Sequence, residues 1–230
     1  MSAPERYVDW INAHLGFNPR SQANSNALSE FIVADLRGMY PAIDRLIDTH
    51  ILTPLKNQSV STSATIRNVD LVFWEQQPLP QRSCRVSVEH KTIMAAHGKA
   101  RKNRYGDIIA YCNHMHNHRP DCIAGATVVI NTSALYANPD SFARDLVRPK
   151  FNMERVVKDT VEIFSRIRLR DSPDEPSDLP EALTVIVVDY DGVNLASLVT
   201  NELAPPKSSH AHYDNFIKRL AEKYEDRLGV

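Results

Sequence analysis

The chain has 230 residues, 43% apolar and 24% charged, with a formal net charge of −1. That balance suits an ordinary globular protein and demands neither a nucleic-acid nor a membrane partner, though an average can hide a local patch. Cys84, Cys112 and Cys122 are sparse and odd in number, so no disulfide framework is expected and a reducing cytoplasm fits. No apolar run approaches the ~20 residues of a membrane span, and the start lacks the basic and apolar regions of a signal peptide.

Tyr7, Ile11 and Leu15 predict a short helix over 5–15, followed by a polar stretch over 18–24. Ser25 or Asn26 can cap a second helix, whose apolar stripe is Leu28, Phe31, Ile32 and Leu36, with Glu30 off the stripe. Pro41 opens a third helix to about 51, with Ile43, Leu46 and Ile47 inward. The period then changes to two. A weak polar strand is expected over 59–66 and stronger ones over 67–75 and 85–92, joined by the turn-like 76–80. A long helix follows over 97–118, with Tyr105, Ile108, Ile109 and Cys112 as its apolar face and Pro120 ending it. Residues 123–131 read as a buried strand. Helices near 139–147 and 152–170 come next, then an acidic, proline-containing loop over 171–180. Leu183 begins the most strand-like run, to 189, and Tyr213, Phe216, Ile217, Leu220 and Tyr224 align on a last helix over 211–227. The expected fold class is α/β, a mixed sheet flanked by helices, in one domain spanning 1–230.

Glu89-His90-Lys91 closes the strand over 85–92, and Asp70 lies on the strand before it. Alternation puts Ser87, Glu89 and Lys91 on one face, and Val86, Val88 and His90 on the other. If the two strands pair, Asp70 sits close to Glu89. Two carboxylates and an ammonium are costly to bury unpaired. They make sense around a divalent cation and a phosphate, although charged residues on a strand more often line a solvated face.

With Asp70 and Glu89-His90-Lys91 on adjacent strands in an αβββαβ order, the chain resembles the PD-(D/E)XK nuclease superfamily, to which many Type II restriction endonucleases belong. The resemblance covers about 24–131, with 183–189 as a further strand. Val69 stands where a proline often precedes the acid, and His90 is a more polar middle residue than usual. The resemblance implies a restriction endonuclease-like core and Mg2+ held by Asp70, Glu89 and the main-chain carbonyl of His90. Lys91 would orient water and stabilise charge, and Glu30 would be an additional acid near the metal. It also implies double-stranded DNA as substrate, a homodimer with two-fold symmetry, and a bacterial or archaeal cytoplasm. The helices over 5–52 and 139–170 become candidates for dimerisation or base reading. No Gly-x-x-x-x-Gly-Lys-Ser/Thr motif is present, so no ATP is expected.

Lys99, Arg101, Lys102 and Arg104, with His97 and Asn103 beside them, form the one dense basic cluster. A cluster at the start of the helix after the catalytic strand suits DNA phosphates, while Arg104 and Asp107 can also pair locally. Cys112 with His116 and His114 with His118 have helical spacing that can bind zinc. Histidines at a helix C-terminus are also favoured by the dipole alone, and an HNH nuclease would need a ββα hairpin here. Two further functions compete with a restriction enzyme: a non-sequence-specific repair or phage-defence nuclease, and a catalytically inactive DNA-binding protein.

Overall fold

The computed structural model describes residues 1–18, 21–62, 64–76, 82–133 and 152–228. In chain order the elements are α1 (Ala3–Ala13), α2 (Gln22–Met39), α3 (Pro41–Asp48), β1 (Leu52–Ser61), β2 (Ile66–Gln76) and β3 (Arg82–Ile93). They continue with α4 (His97–His118), β4 (Ile123–Asn131), α5 (Met153–Ser165), β5 (Ala182–Asp189), β6 (Ser197–Leu198) and α6 (Tyr213–Leu228). The strands lie side by side in sequence order as one mixed sheet. β1, β2 and β3 form an antiparallel meander, β3, β4 and β5 run parallel, and β6 returns antiparallel.

The sheet is covered on both faces, which is why β4 is buried along its whole length and reads as a continuous apolar run. One face packs against α2, α3 and α6 through Leu28, Ile32, Ile43, Leu71, Val88, Phe216 and Leu220. The other packs against α4 and α5 through Val72, Tyr111, Cys112, Met115, Val128, Val157 and Phe164. Gly125 lets α6 approach closely, since a Cβ there would lie 3.2 Å from Leu220 and 3.3 Å from Phe216.

Several boundaries differ from the sequence reading, for local reasons. β1 spans Leu52–Ser61 rather than 59–66. It carries Pro54, which an edge strand tolerates, and its polar side chains hide its period. The third helix stops at Asp48, because His50 turns to φ 58°. α2 begins at Gln22 behind Ser21, so Ser25 and Asn26 lie inside it; the Asn26 side chain bonds Asn57 of β1. α5 ends at Ser165 rather than 170. On α4 the buried face is Ile108, Tyr111, Cys112 and Met115, whereas Tyr105 is exposed. β6 was not expected. The predicted helix over 139–147 and residues 77–80 of the predicted turn lie outside the described residues. Among the described residues, no helix is long and apolar enough to cross a membrane.

The acidic loop over 171–180 leads into a buried charge network. Glu181 is fully buried. Its Oε2 accepts from the Ala124 amide at 2.8 Å and lies 2.9 Å from His116 Nε2. Its Oε1 accepts from Arg227 at 2.7 Å and Arg170 at 3.1 Å. Arg170, itself 2% exposed, also donates to the Pro120 carbonyl at 3.0 Å. The chain leaves the helical path after α5 to bring Arg170 into this network.

Burial alone would raise the Glu181 carboxyl, but His116, Arg227 and the Ala124 amide hold it below its ordinary 4.5. The stabilisation is therefore complete above pH 4.5 and is lost as pH falls through the depressed value. Glu181→Ala leaves buried cations unpaired and should cost about 3–5 kcal/mol in urea unfolding at pH 7. The deficit should narrow as the wild type is taken into acid.

Candidate active site

The β2–β3 ladder runs from Gln76 opposite Arg82 to Leu71 opposite Val88. The next residues along each strand are Asp70 and Glu89. β3 stays paired with β4 as far as Ile93, and β2 stays paired with β1 as far as Ile66. A seam therefore opens between β2 and β3 where the two carboxylates meet. The His90 amide donates to Asp70 Oδ2 at 2.7 Å, so a carboxylate stands at the seam as acceptor for the strand backbone.

The alternation of β3 divides the triplet between the two faces. Ser87 accepts from the Tyr111 hydroxyl of α4 at 2.6 Å, and Glu89 accepts from Lys91 Nζ at 2.5 Å on that same face. His90 points to the α2 side, with Nε2 2.9 Å from Ser29 Oγ and Nδ1 2.8 Å from Thr127 Oγ1 of β4. Burial pushes the His90 ring down to about 3, so it is neutral and one nitrogen donates while the other accepts. The ring thus ties β3 to α2 and β4 directly behind the amide that holds Asp70. The Ser29 hydroxyl also reaches the Asp70 carbonyl at 3.4 Å.

Both carboxyls sit above their ordinary range. For Asp70, burial raises the value, and the His90 amide, Lys91 and the Ser25 hydroxyl offset this in part. For Glu89, burial again dominates; Lys91 and Arg67 counter it while Asp70 adds to it. At Glu89, burial and the charge of Asp70 together outweigh the attraction of Lys91 and Arg67. The partners of Glu89 are lopsided. Oε1 has Lys91 at 2.5 Å and Arg67 Nη2 at 3.7 Å. Oε2 is buried and has no hydrogen-bond partner among the described residues. An unpartnered carboxylate oxygen beside a second acid fits a hard, oxygen-seeking cation such as Mg2+. Among the described residues no group of three or more His, Cys, Asp or Glu is placed to hold a metal. Asp70 and Glu89 could therefore hold such a cation only as a pair of side-chain ligands.

Other candidates are placed differently. Glu30 is exposed and pairs with Lys56 of β1, while its buried neighbour Ser29 faces the site. His97 does not belong with the surface basic cluster: it is 5% exposed, with Nε2 2.6 Å from the Asn131 carbonyl. Lys99, Lys102 and Asn103 are exposed, Arg101 and Arg104 are half-buried, and Arg104 pairs with Asp107 at 2.8 Å. Cys112 is buried in the core, and His116 belongs to the Glu181 network. The sequence reading missed Arg67, Ser29, Thr127 and Tyr111. By alternation Arg67, three residues before Asp70, falls on the opposite strand face, so spacing did not mark it.

No protein-family model, curated protein or solved structure matches the chain.

Because the folded state holds the Glu89 proton more tightly than the unfolded chain, ionising Glu89 costs stability as pH rises above the ordinary 4.5. Without divalent cations, Glu89→Gln should therefore melt above wild type at pH 8, with the gap closing toward pH 4. Thermal melts across that range in a chelator measure this directly.

Proposed function

We propose that this chain is a magnesium-dependent endonuclease of the PD-(D/E)XK superfamily that hydrolyses phosphodiester bonds of double-stranded DNA, most simply as a Type II restriction endonuclease. The observation that carries this reading is the meeting of Asp70, Glu89 and Lys91 at the β2–β3 seam, with Glu89 Oε2 buried and without a hydrogen-bond partner among the described residues. The element order gives support: helices, an antiparallel three-strand meander, a helix, then a parallel strand.

Hydrolysis needs a water in line with the departing 3′ oxygen and compensation of the charge that grows on the phosphate. Bound Mg2+ would supply Lewis acidity to the phosphate and acidify a ligated water. Asp70, steadied by the His90 amide, and Glu89 would hold it, with the His90 carbonyl as a third oxygen. Lys91 has a different task. With the negative charge of Glu89 shared by such a cation, the Lys91 ammonium would be free to donate to the attacking water or to a phosphate oxygen. The exposed Lys99 and Lys102 at the start of α4 would hold the strand by its backbone. A two-fold dimer would bring two such sites to opposite strands of one target.

Digestion of a sequenced phage DNA with and without Mg2+, followed by end mapping, tests the reading. Discrete ends identify a restriction enzyme, a smear identifies a non-specific nuclease, and intact DNA removes the nuclease reading. Asp70→Ala and Lys91→Ala should each lower the cleavage rate by at least ~10²–10³-fold while leaving fold and DNA binding in place. Full cleavage by Lys91→Ala would sink the assignment. Replacing Lys99 and Lys102 together with Ala should reduce the slope of log affinity against log salt by about 0.9 per lost phosphate contact.

A further inference from the structure

Arg67 lies beside the carboxylate pair in an arrangement that a structural ion pair does not explain. It enters from β2 just beyond the seam, and its guanidinium carbon sits 5.5 Å from the centre of the Tyr111 ring. That ring is fixed in turn, being fully buried with its hydroxyl bonded to Ser87 at 2.6 Å. The guanidinium is therefore positioned by stacking rather than by its donors. The donors are largely unspent. Nη2 is 3.7 Å from Glu89 Oε1, beyond hydrogen-bond reach. Nη1 is 3.4 Å from His114 Nδ1, at the limit of a bond. Nε is buried without a partner among the described residues. Meanwhile Glu89 Oε1 already has Lys91 at 2.5 Å, so Arg67 is not needed to satisfy it.

A stacked guanidinium with open donors, on the same side of Glu89 as Lys91, is matched by an anion with several oxygens. Building on the nuclease reading above, we propose that Arg67 is a second catalytic cation, donating to the non-bridging oxygens of the scissile phosphate. The labour then divides by geometry. The planar fork of Arg67 takes two phosphate oxygens, and the ammonium of Lys91 takes the attacking water. Tyr111 acts as a positioning residue, the plate on which the fork rests.

The experiment compares wild type, Arg67→Ala, Arg67→Lys and Lys91→Ala on a duplex carrying a mapped cleavage site. It follows kcat, KM, the Mg2+ requirement and the melting temperature, and repeats the assays with millimolar guanidinium ion added. Arg67→Ala should lose on the order of 10²–10³-fold in kcat, with KM, Mg2+ requirement and melting temperature little changed. Arg67→Lys should fall between it and wild type. Free guanidinium should restore part of the Arg67→Ala rate and none of the Lys91→Ala rate. Wild-type cleavage by Arg67→Ala overturns the inference and leaves the nuclease reading standing. So does a loss that neither lysine nor guanidinium recovers and that comes with a lowered melting temperature, since Arg67 would then be structural. If wild type itself gives no Mg2+-dependent cleavage, the nuclease reading falls and takes this role with it.

Discussion

Two carboxylates cannot lie side by side in a closed, buried ladder without a compensating charge, and the sheet is arranged around that constraint. Pairing of β2 with β3 stops at Leu71 opposite Val88, one residue short of Asp70 and Glu89. The opening leaves the His90 amide free for the Asp70 carboxylate. It does not loosen β3, which is held along its other edge by β4 and from behind by the His90 ring between Ser29 and Thr127. The acids are thus presented from one rigid strand and one departing strand.

Glu181 and Glu89 are both buried carboxylates, and they contrast in their partners. Glu181 receives an amide, a histidine and two arginines, and its carboxyl is held low. Glu89 receives one close ammonium and a more distant guanidinium, faces another acid, and its carboxyl is held high. Burial is similar, so the difference lies in the partners. Glu181 is saturated with partners, whereas Glu89 keeps one oxygen without a hydrogen-bond partner among the described residues.

Much of this was legible in the residues. The extents of α4 and β4, and the division of Ser87, Glu89 and Lys91 from Val86, Val88 and His90, follow from period and alternation alone. What was not legible depends on contacts distant in sequence. Ser29 meets His90 across 61 residues; Glu30 already lay off the apolar stripe, and the family resemblance rather than helical phase drew it toward the site. β1 was misplaced because a polar edge strand with a proline lacks the pattern that identifies covered strands. His97 was grouped with its basic neighbours by proximity in sequence, but helical phase turns it inward to Asn131. Arg67 acquires its place from Tyr111, which propensity alone cannot supply.

The Glu181 network also bears on how the chain comes to fold. Arg227 reaches back to the Cys122 carbonyl, 105 residues earlier, as well as to Glu181. During synthesis, β4, β5 and the Glu181 side chain leave the ribosome well before α6 does. Until α6 docks, Glu181 lacks Arg227, and the sheet face around Gly125 lacks its cover of Phe216 and Leu220. Closure of this sheet face and completion of the Glu181 network therefore both depend on the last helix.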